Sequence, residues 1–155
     1  MKGNQKVIDY LNFLLSDELT AVSQYMVHSE MCANWGYTKL AEHTEKRAID
    51  EMKHAEKHIG RILFLEGIPI VSQLGKITIG ADVLKQLNND HGAEAGAVKA
   101  YNEGIKLCTE WADNGTREML EDILGDEEEH IDWIEAQLDQ ISQMGIQLYL
   151  VEQLG

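Results

Sequence analysis

Glu18, Glu51 and His54 recur 76 positions later as Glu94, Glu127 and His130. Carboxylates and imidazoles together make a mixed oxygen and nitrogen ligand set, and two copies of it point to a site for two metal ions. The set suits iron or manganese better than a closed structural zinc site. Four carboxylates also balance the charge of two divalent ions. With an open coordination position left for oxygen or peroxide, the chemistry would be redox.

The same offset aligns Val7 with Val83, Leu11 with Leu87, Ala21 with Ala97, Val22 with Val98, Tyr25 with Tyr101, Cys32 with Cys108, Trp35 with Trp111 and Asp50 with Asp126. The repeat therefore carries apolar and aromatic neighbours along with the ligands, as two helical hairpins of one plan would. Helical period places each carboxylate on an apolar stripe. Glu18 lies with Leu11, Leu14, Leu15, Ala21 and Val22, and Glu51 with Leu40, Ala48, Ala55, Ile59 and Ile62. Glu94 sits with Leu87, Ala97, Val98 and Ile105, and Glu127 with Leu120, Ile123, Leu124 and Ile131. A buried ionised carboxylate must be protonated, paired or bound to a metal, and arginine is scarce on these stripes. Each Glu-x-x-His sets its two side chains about 60° apart around a helix and roughly 4.5 Å apart along it, so both can address one ion.

The elements that must position these groups are helices. The chain of 155 residues has a single proline and long runs of good helix formers, which predicts one all-α domain over residues 1–155. Expected helices run from Gln5 to Asn34, Thr38 to Glu66, Asp82 to Ala112 and Thr116 to Met144. Trp35 and Gly36 close the first hairpin, with Trp35 stapling it, and Asp113-Asn114-Gly115 turns the second. From Gly67 to Ala81 the pattern breaks around Pro69, Gly75 and Gly80. Fifteen extended residues reach roughly 50 Å, enough to run beside a helix of about 28 residues, roughly 42 Å long. The result is an up, down, down, up bundle with one long crossover, the connectivity of ferritin-like four-helix bundles. After Gly145 a short fifth C-terminal helix, with Leu148, Tyr149, Val151 and Leu154, is expected to pack away from the bundle.

A formal charge of −14 argues against a nucleic-acid surface, which needs clustered Lys and Arg, and favours cations. No apolar run is long enough to span a bilayer and no signal peptide opens the chain, so a cytoplasmic protein without a membrane partner is expected. Cys32 and Cys108 are expected as free thiols.

Over essentially its whole length the chain resembles the bacterioferritins. The resemblance rests on Met1-Lys2-Gly3, Ile49-Asp50-Glu51-Met52-Lys53-His54-Ala55, Arg61-Ile62-Leu63-Phe64-Leu65-Glu66-Gly67 and Asp126-Glu127-Glu128-Glu129-His130-Ile131-Asp132-Trp133. It implies an iron-storage shell of 24 subunits that oxidises Fe(II) at an intrasubunit di-iron ferroxidase centre. Glu18 and His54 would bind one iron, Glu94 and His130 the other, and Glu51 and Glu127 would bridge them. Met52 matches the methionine that ligates a b-type haem shared between two subunits, and Met ligation favours electron transfer. A ferredoxin reductant and a second bacterioferritin subunit are further implied partners.

The resemblance also gives Tyr25 a redox role; Tyr101 and Trp133 lie near the ligands in helical phase and could donate electrons too. Asp50 matches an inner-surface iron ligand, and Asn34, Glu66 and Asp132 match channel positions. Lys46 stands where a histidine is common, which weakens the inner-surface site. Glu45 and His58 replace frequently aromatic positions, and Leu148 and Val151 make an apolar fourfold pore. His28, His43, His58 and His91 are expected at the surface or as supports to the ligands. Two other classes share features of the chain. A di-iron or manganese enzyme such as rubrerythrin or manganese catalase could use the same ligands, although rubrerythrin's cysteine module is absent. An acidic helical scaffold would leave the four buried carboxylates without a reason.

Overall fold

A computed structural model describes residues 1–155. Four long helices, α1 (Gln5–Asn34), α2 (Thr38–Phe64), α3 (Val83–Glu110) and α4 (Asn114–Met144), are followed by the short α5 (Ile146–Val151). Each long helix but α2 begins on a side-chain cap: Asn4 accepts from Lys6 N, Asp82 from Lys85 N, and Asp113 from Thr116 N. Asp82 thus stands outside the helix it was expected to open, as its cap. Asn114 and Gly115 belong to α4 and not to the turn, because Asp113 supplies the cap two residues earlier than the spacing suggested.

The expected connectivity is present. The end of α2 lies at the start of α1, where Gly3 N bonds Leu65 O. The crossover then climbs along α1 and delivers α3 antiparallel to it. Asp90 of α3 lies against His28, Glu94 against Tyr25 and Tyr101 against Glu18. Arg61 near the end of α2 holds the start of α4, donating to Thr116 Oγ1 at 2.9 Å and Asp113 Oδ1 at 3.1 Å.

The crossover has no regular structure of its own, so its backbone groups need partners elsewhere. A polar row spaced four residues apart on α1 supplies them. Asn12 bonds Ile68 O and Ile70 N, Ser16 bonds Gln73 O, Thr20 accepts from Gly75 N, Gln24 from Thr78 N, and His28 from Gly80 N. The α helical period brings all five to one face.

Two apolar clusters flank the bundle's middle. One is built on Leu11, Leu14, Leu15, Ile62, Leu120 and Ile123, the other on Cys32, Leu40, Leu87, Ile134 and Ile141. The second includes Tyr149, which corrects the expectation for α5. Although Leu148, Val151 and Leu154 are exposed, Tyr149 is fully buried against the end of the bundle and donates to Gln137 Oε1 at 2.8 Å. Trp35 is also unlike its expected role, since its ring is partly exposed and tilted beside Tyr37. The first hairpin is closed by backbone bonds instead. Cys32 and Cys108 are buried and free.

Three helices end alike. Tyr37 N bonds Cys32 O, Gly67 N bonds Ile62 O and Asp113 N bonds Cys108 O, in each case around one residue with positive φ. That residue is Gly36 (φ 84°), Glu66 (φ 62°) and Ala112 (φ 52°). Gly36 and Ala112 correspond in the repeat, yet only glycine takes this left-handed conformation without a steric cost. Ala112→Gly is therefore expected to raise unfolding free energy by about 0.5–1 kcal/mol. Chemical denaturation of the two proteins measures it, and an unchanged midpoint would show that Ala112 carries no strain.

Candidate metal centre

All four long helices contribute to one buried cluster at mid-bundle. Glu18, Glu51, Glu94 and Glu127 are each no more than 3% exposed, and His54 and His130 are also buried. Ligand atoms fall into two groups, Glu18, Glu51, His54 and Glu127, and Glu51, Glu94, Glu127 and His130, with the atoms of each within 4.8 Å of one another. Glu51 and Glu127 belong to both.

The cluster is close-packed but poorly bonded. His54 Nδ1 is 2.9 Å from Glu127 Oε1 and 3.5 Å from Glu18 Oε2, and His130 Nδ1 is 3.1 Å from Glu51 Oε1. Even so, Glu18 Oε2, Glu51 Oε1, His54 Nδ1, Glu94 Oε2, Glu127 Oε1 and His130 Nδ1 have no aligned hydrogen-bond partner. One atom from every one of the six residues is thus left over, facing its neighbours. Buried polar atoms are rarely left so. Atoms arranged to converge on a cation have this pattern, and their chemistry fits iron or manganese.

The other faces of these side chains are held. Tyr25 donates to Glu94 Oε1 and Tyr101 donates to Glu18 Oε1. His54 Nε2 meets Asp126 Oδ2 at 2.9 Å, and His130 Nε2 lies 3.6 Å from Asp50 Oδ2. A carboxylate on the outer nitrogen holds the ring so that its other nitrogen faces inward. Every one of these contacts crosses from one hairpin to the other.

The remaining histidines divide between the two places expected for them. His58 takes the supporting one, fully buried with Nε2 2.6 Å from Tyr101 Oη. Burial lowers its pKa to about 3, so it is neutral. Because Tyr101's one hydroxyl proton is committed to Glu18, His58 donates to the tyrosine oxygen. His28 is buried too, between Asp90 at 2.9 Å and the Gly80 amide. His43 stacks on Trp133 with ring centroids 3.6 Å apart, while His91 sits near the surface beside Glu135.

Arginine is not wholly missing, since buried Arg47 reaches within 3.8 Å of Glu94. Its stem is amphipathic, so helical spacing alone did not place its head inward. Asp50 turns toward His130. Met52, Asn34, Glu66 and Asp132 are exposed and lie outside the cluster.

Charge in the cluster follows from burial and proximity. Burial and the neighbouring Glu51 push Glu18 well above the usual carboxylate range, and burial brings Glu94 to about 7. Burial also opposes charge on Glu51, but bonds to its neighbours outweigh it and bring the pKa to about 2. Burial alone would lower His130, whereas the contacts with Glu127, Glu51 and Glu94 raise it to about 11; His54 is raised in the same way. Protons therefore take the part of cations among these carboxylates. A metal ion must displace them, so its apparent affinity should rise with pH from about 6 to 8, where Glu94 titrates, with proton release throughout. Calorimetric titration with Co(II) in buffers of different ionisation enthalpy reads that release; none at either pH would contradict the assignment of these charges.

The ferritin-like domain family matches residues 8–144 of the chain. A bacterioferritin of Mycobacterium tuberculosis is 42% identical over 149 residues, covering 96% of this chain and 94% of its own. Those of Rhodobacter capsulatus and Brucella melitensis are 41% and 40% identical, covering 95% and 96% of this chain and 91% and 92% of their own. With a ferritin-like bundle around the cluster and relatives matched nearly end to end, the chain belongs to the bacterioferritin family.

Proposed function

We propose that this chain stores iron and oxidises Fe(II) to Fe(III) at the buried Glu and His cluster. The observation that carries this is the six inward-facing atoms without hydrogen-bond partners, one from each of Glu18, Glu51, His54, Glu94, Glu127 and His130. Glu18 and His54 would hold one ion, Glu94 and His130 the other, and Glu51 and Glu127, common to both groups, would serve both. Iron supplies one-electron redox chemistry there, with oxygen or peroxide as the acceptor.

The protein's own groups do the rest. Tyr25 and Tyr101 hold the terminal carboxylates Glu94 and Glu18 in place. Tyr25 serves in addition as a nearby electron donor. Asp126 and Asp50 orient the imidazoles from outside. The carboxylates would keep the ions bound as their charge rises, and the proton load on His54 and His130 would leave as metal enters.

Met52 would hold a haem b shared between two subunits. Its thioether fits that part, because it is 45% exposed on α2 one turn from Ile49, itself 41% exposed, so both face outward from the monomer. When bound, haem supplies an electron path for reducing stored iron. Assembly into a 24-subunit shell, reduction by a ferredoxin, co-assembly with a second bacterioferritin subunit and a cytoplasmic location belong to the same reading. No helix is long and apolar enough to cross a membrane. Asn34, Glu66 and Asp132 would line channels between subunits, and Asp50 would serve at the inner surface.

Glu127→Ala removes a bridge common to both metal groups. Ferric absorbance after aerobic Fe(II) addition should then grow about 100-fold more slowly or worse, since loss of even outer partners costs 10- to 100-fold. Particle size should be unchanged; an unaltered rate would sink the assignment. Met52→His should shift the visible spectrum of the haem-loaded protein, because the axial ligand sets the iron's electronic state. An identical spectrum would return Met52 to an ordinary surface thioether.

A further inference from the structure

We infer that the two metal positions are unequal and that Arg47 makes them so: the position of Glu18 and His54 fills first, and that of Glu94 and His130 fills second and more weakly. The inference rests on the metal-centre reading above and adds an order to it. Ligand type alone gives no order, because each position draws on one glutamate and one histidine of its own and on the two shared glutamates.

The difference lies in what stands behind the ligands. Buried Arg47 holds Nη1 3.8 Å from Glu94 Oε1, and no other lysine or arginine comes within 4.0 Å of a glutamate of the cluster. Its counterpart in the repeat is Ile123, fully buried in the apolar cluster of Leu11 and Ile62. The second position therefore faces a fixed positive charge that the first does not. Glu94 is in turn the only carboxylate within 4.0 Å of Arg47. Asp90 lines the same recess, but its Oδ1 is bound by Gln24 at 2.8 Å and by His28 at 2.9 Å.

The guanidinium is pinned in place. Its Nη2 lies 3.2 Å from His43 Nε2, and the His43 ring stacks on Trp133. Burial lowers the His43 pKa to about 4, so the ring is neutral and accepts from Arg47. Arginine itself stays charged. In the metal-free protein its charge offsets the buried Glu94, and beside a bound divalent ion it repels. Both effects take affinity from the second position, one by stabilising the empty state and the other by opposing the filled one.

An independent contact acts in the same direction. Asp126 Oδ2 stands 2.9 Å from His54 Nε2, whereas Asp50 Oδ2 stands 3.6 Å from His130 Nε2, beyond hydrogen-bond length. A carboxylate bonded to the outer nitrogen strengthens an imidazole as a ligand. His54 has the closer support.

The test adds one equivalent of Co(II) per chain to the metal-free assembled protein and reads the occupancy of each position by anomalous diffraction from its crystals. Most of the Co(II) should lie beside Glu18 and His54. Equilibrium titration by visible absorbance should give two affinities roughly 10- to 100-fold apart. Arg47→Met keeps an apolar stem and removes the charge, so the weaker affinity should rise on the order of tenfold while the stronger one holds. Lys39→Met takes the same charge from an exposed site at the start of α2 and should change neither. Arg47→Lys retains a cation and should retain the order. Equal occupancy at one equivalent, or Co(II) gathered beside Glu94 and His130, would overturn the order, and the unaltered chain alone decides that. An unchanged weaker affinity in Arg47→Met, or the same rise in Arg47→Lys, would overturn the part given to the charge of Arg47. Failure of the unaltered chain to bind any Co(II) would remove the metal centre and the order together. Ordered Co(II) binding without Fe(II) oxidation would leave the order standing and remove the ferroxidase.

Discussion

A carboxylate taken from water into a protein interior loses several kcal/mol of solvation. This chain does so four times within two overlapping groups whose ligand atoms lie inside 4.8 Å. Helical propensity and apolar packing would build a bundle without any such cost. The cluster is therefore what the surrounding structure must offset, and nearly every polar contact at mid-bundle can be traced to it. Two tyrosine hydroxyls, two imidazoles, two outer aspartates and one arginine all neutralise or orient a glutamate, directly or through a histidine. None of these compensations is complete, because one atom on each of the four glutamates and two histidines stays unpaired.

The compensation is arranged by exchange between the two hairpins. Tyr25 of the first serves Glu94 of the second, and its counterpart Tyr101 serves Glu18. Asp126 of the second faces His54, and its counterpart Asp50 faces His130. Neither hairpin could bury its own carboxylates alone, so the pairing of halves is specific as well as apolar. Away from the centre the symmetry ends. His58 corresponds to Ile134, so only Tyr101 has a histidine behind its hydroxyl, and His28 corresponds to Gly104, which packs against Tyr10.

The buried cluster and the helices were legible because both are written in short-range spacing. Glu51 with His54 and Glu127 with His130 lie one helical turn apart, and the apolar stripes around them fix which face is inside. His28 and His58 were legible only as far as the choice between surface and support. A histidine on a helix reads the same whether it meets water or a buried partner, and their partners Asp90 and Tyr101 are 62 and 43 residues away. Arg47 escaped for a related reason, since a long flexible stem lets its charge reach Glu94 from a position that reads as surface. The seat of Tyr149 depended on the shape of a pocket assembled by α1 to α4. Ends of helices were misplaced by a residue or two where Asp82 and Asp113 act as caps.

The row Asn12, Ser16, Thr20, Gln24 and His28 looks in isolation like a solvated helix face, but in the fold it is the track on which the crossover lies. Its five members are collinear only while α1 is helical. The crossover thus has no docking surface until α1 has formed, and each rung closes a loop of more than fifty residues. Such contacts bear their chain-closure entropy before they return any stability. Joining of the two hairpins is accordingly expected late in folding, and fraying of α1 would free the crossover from its track.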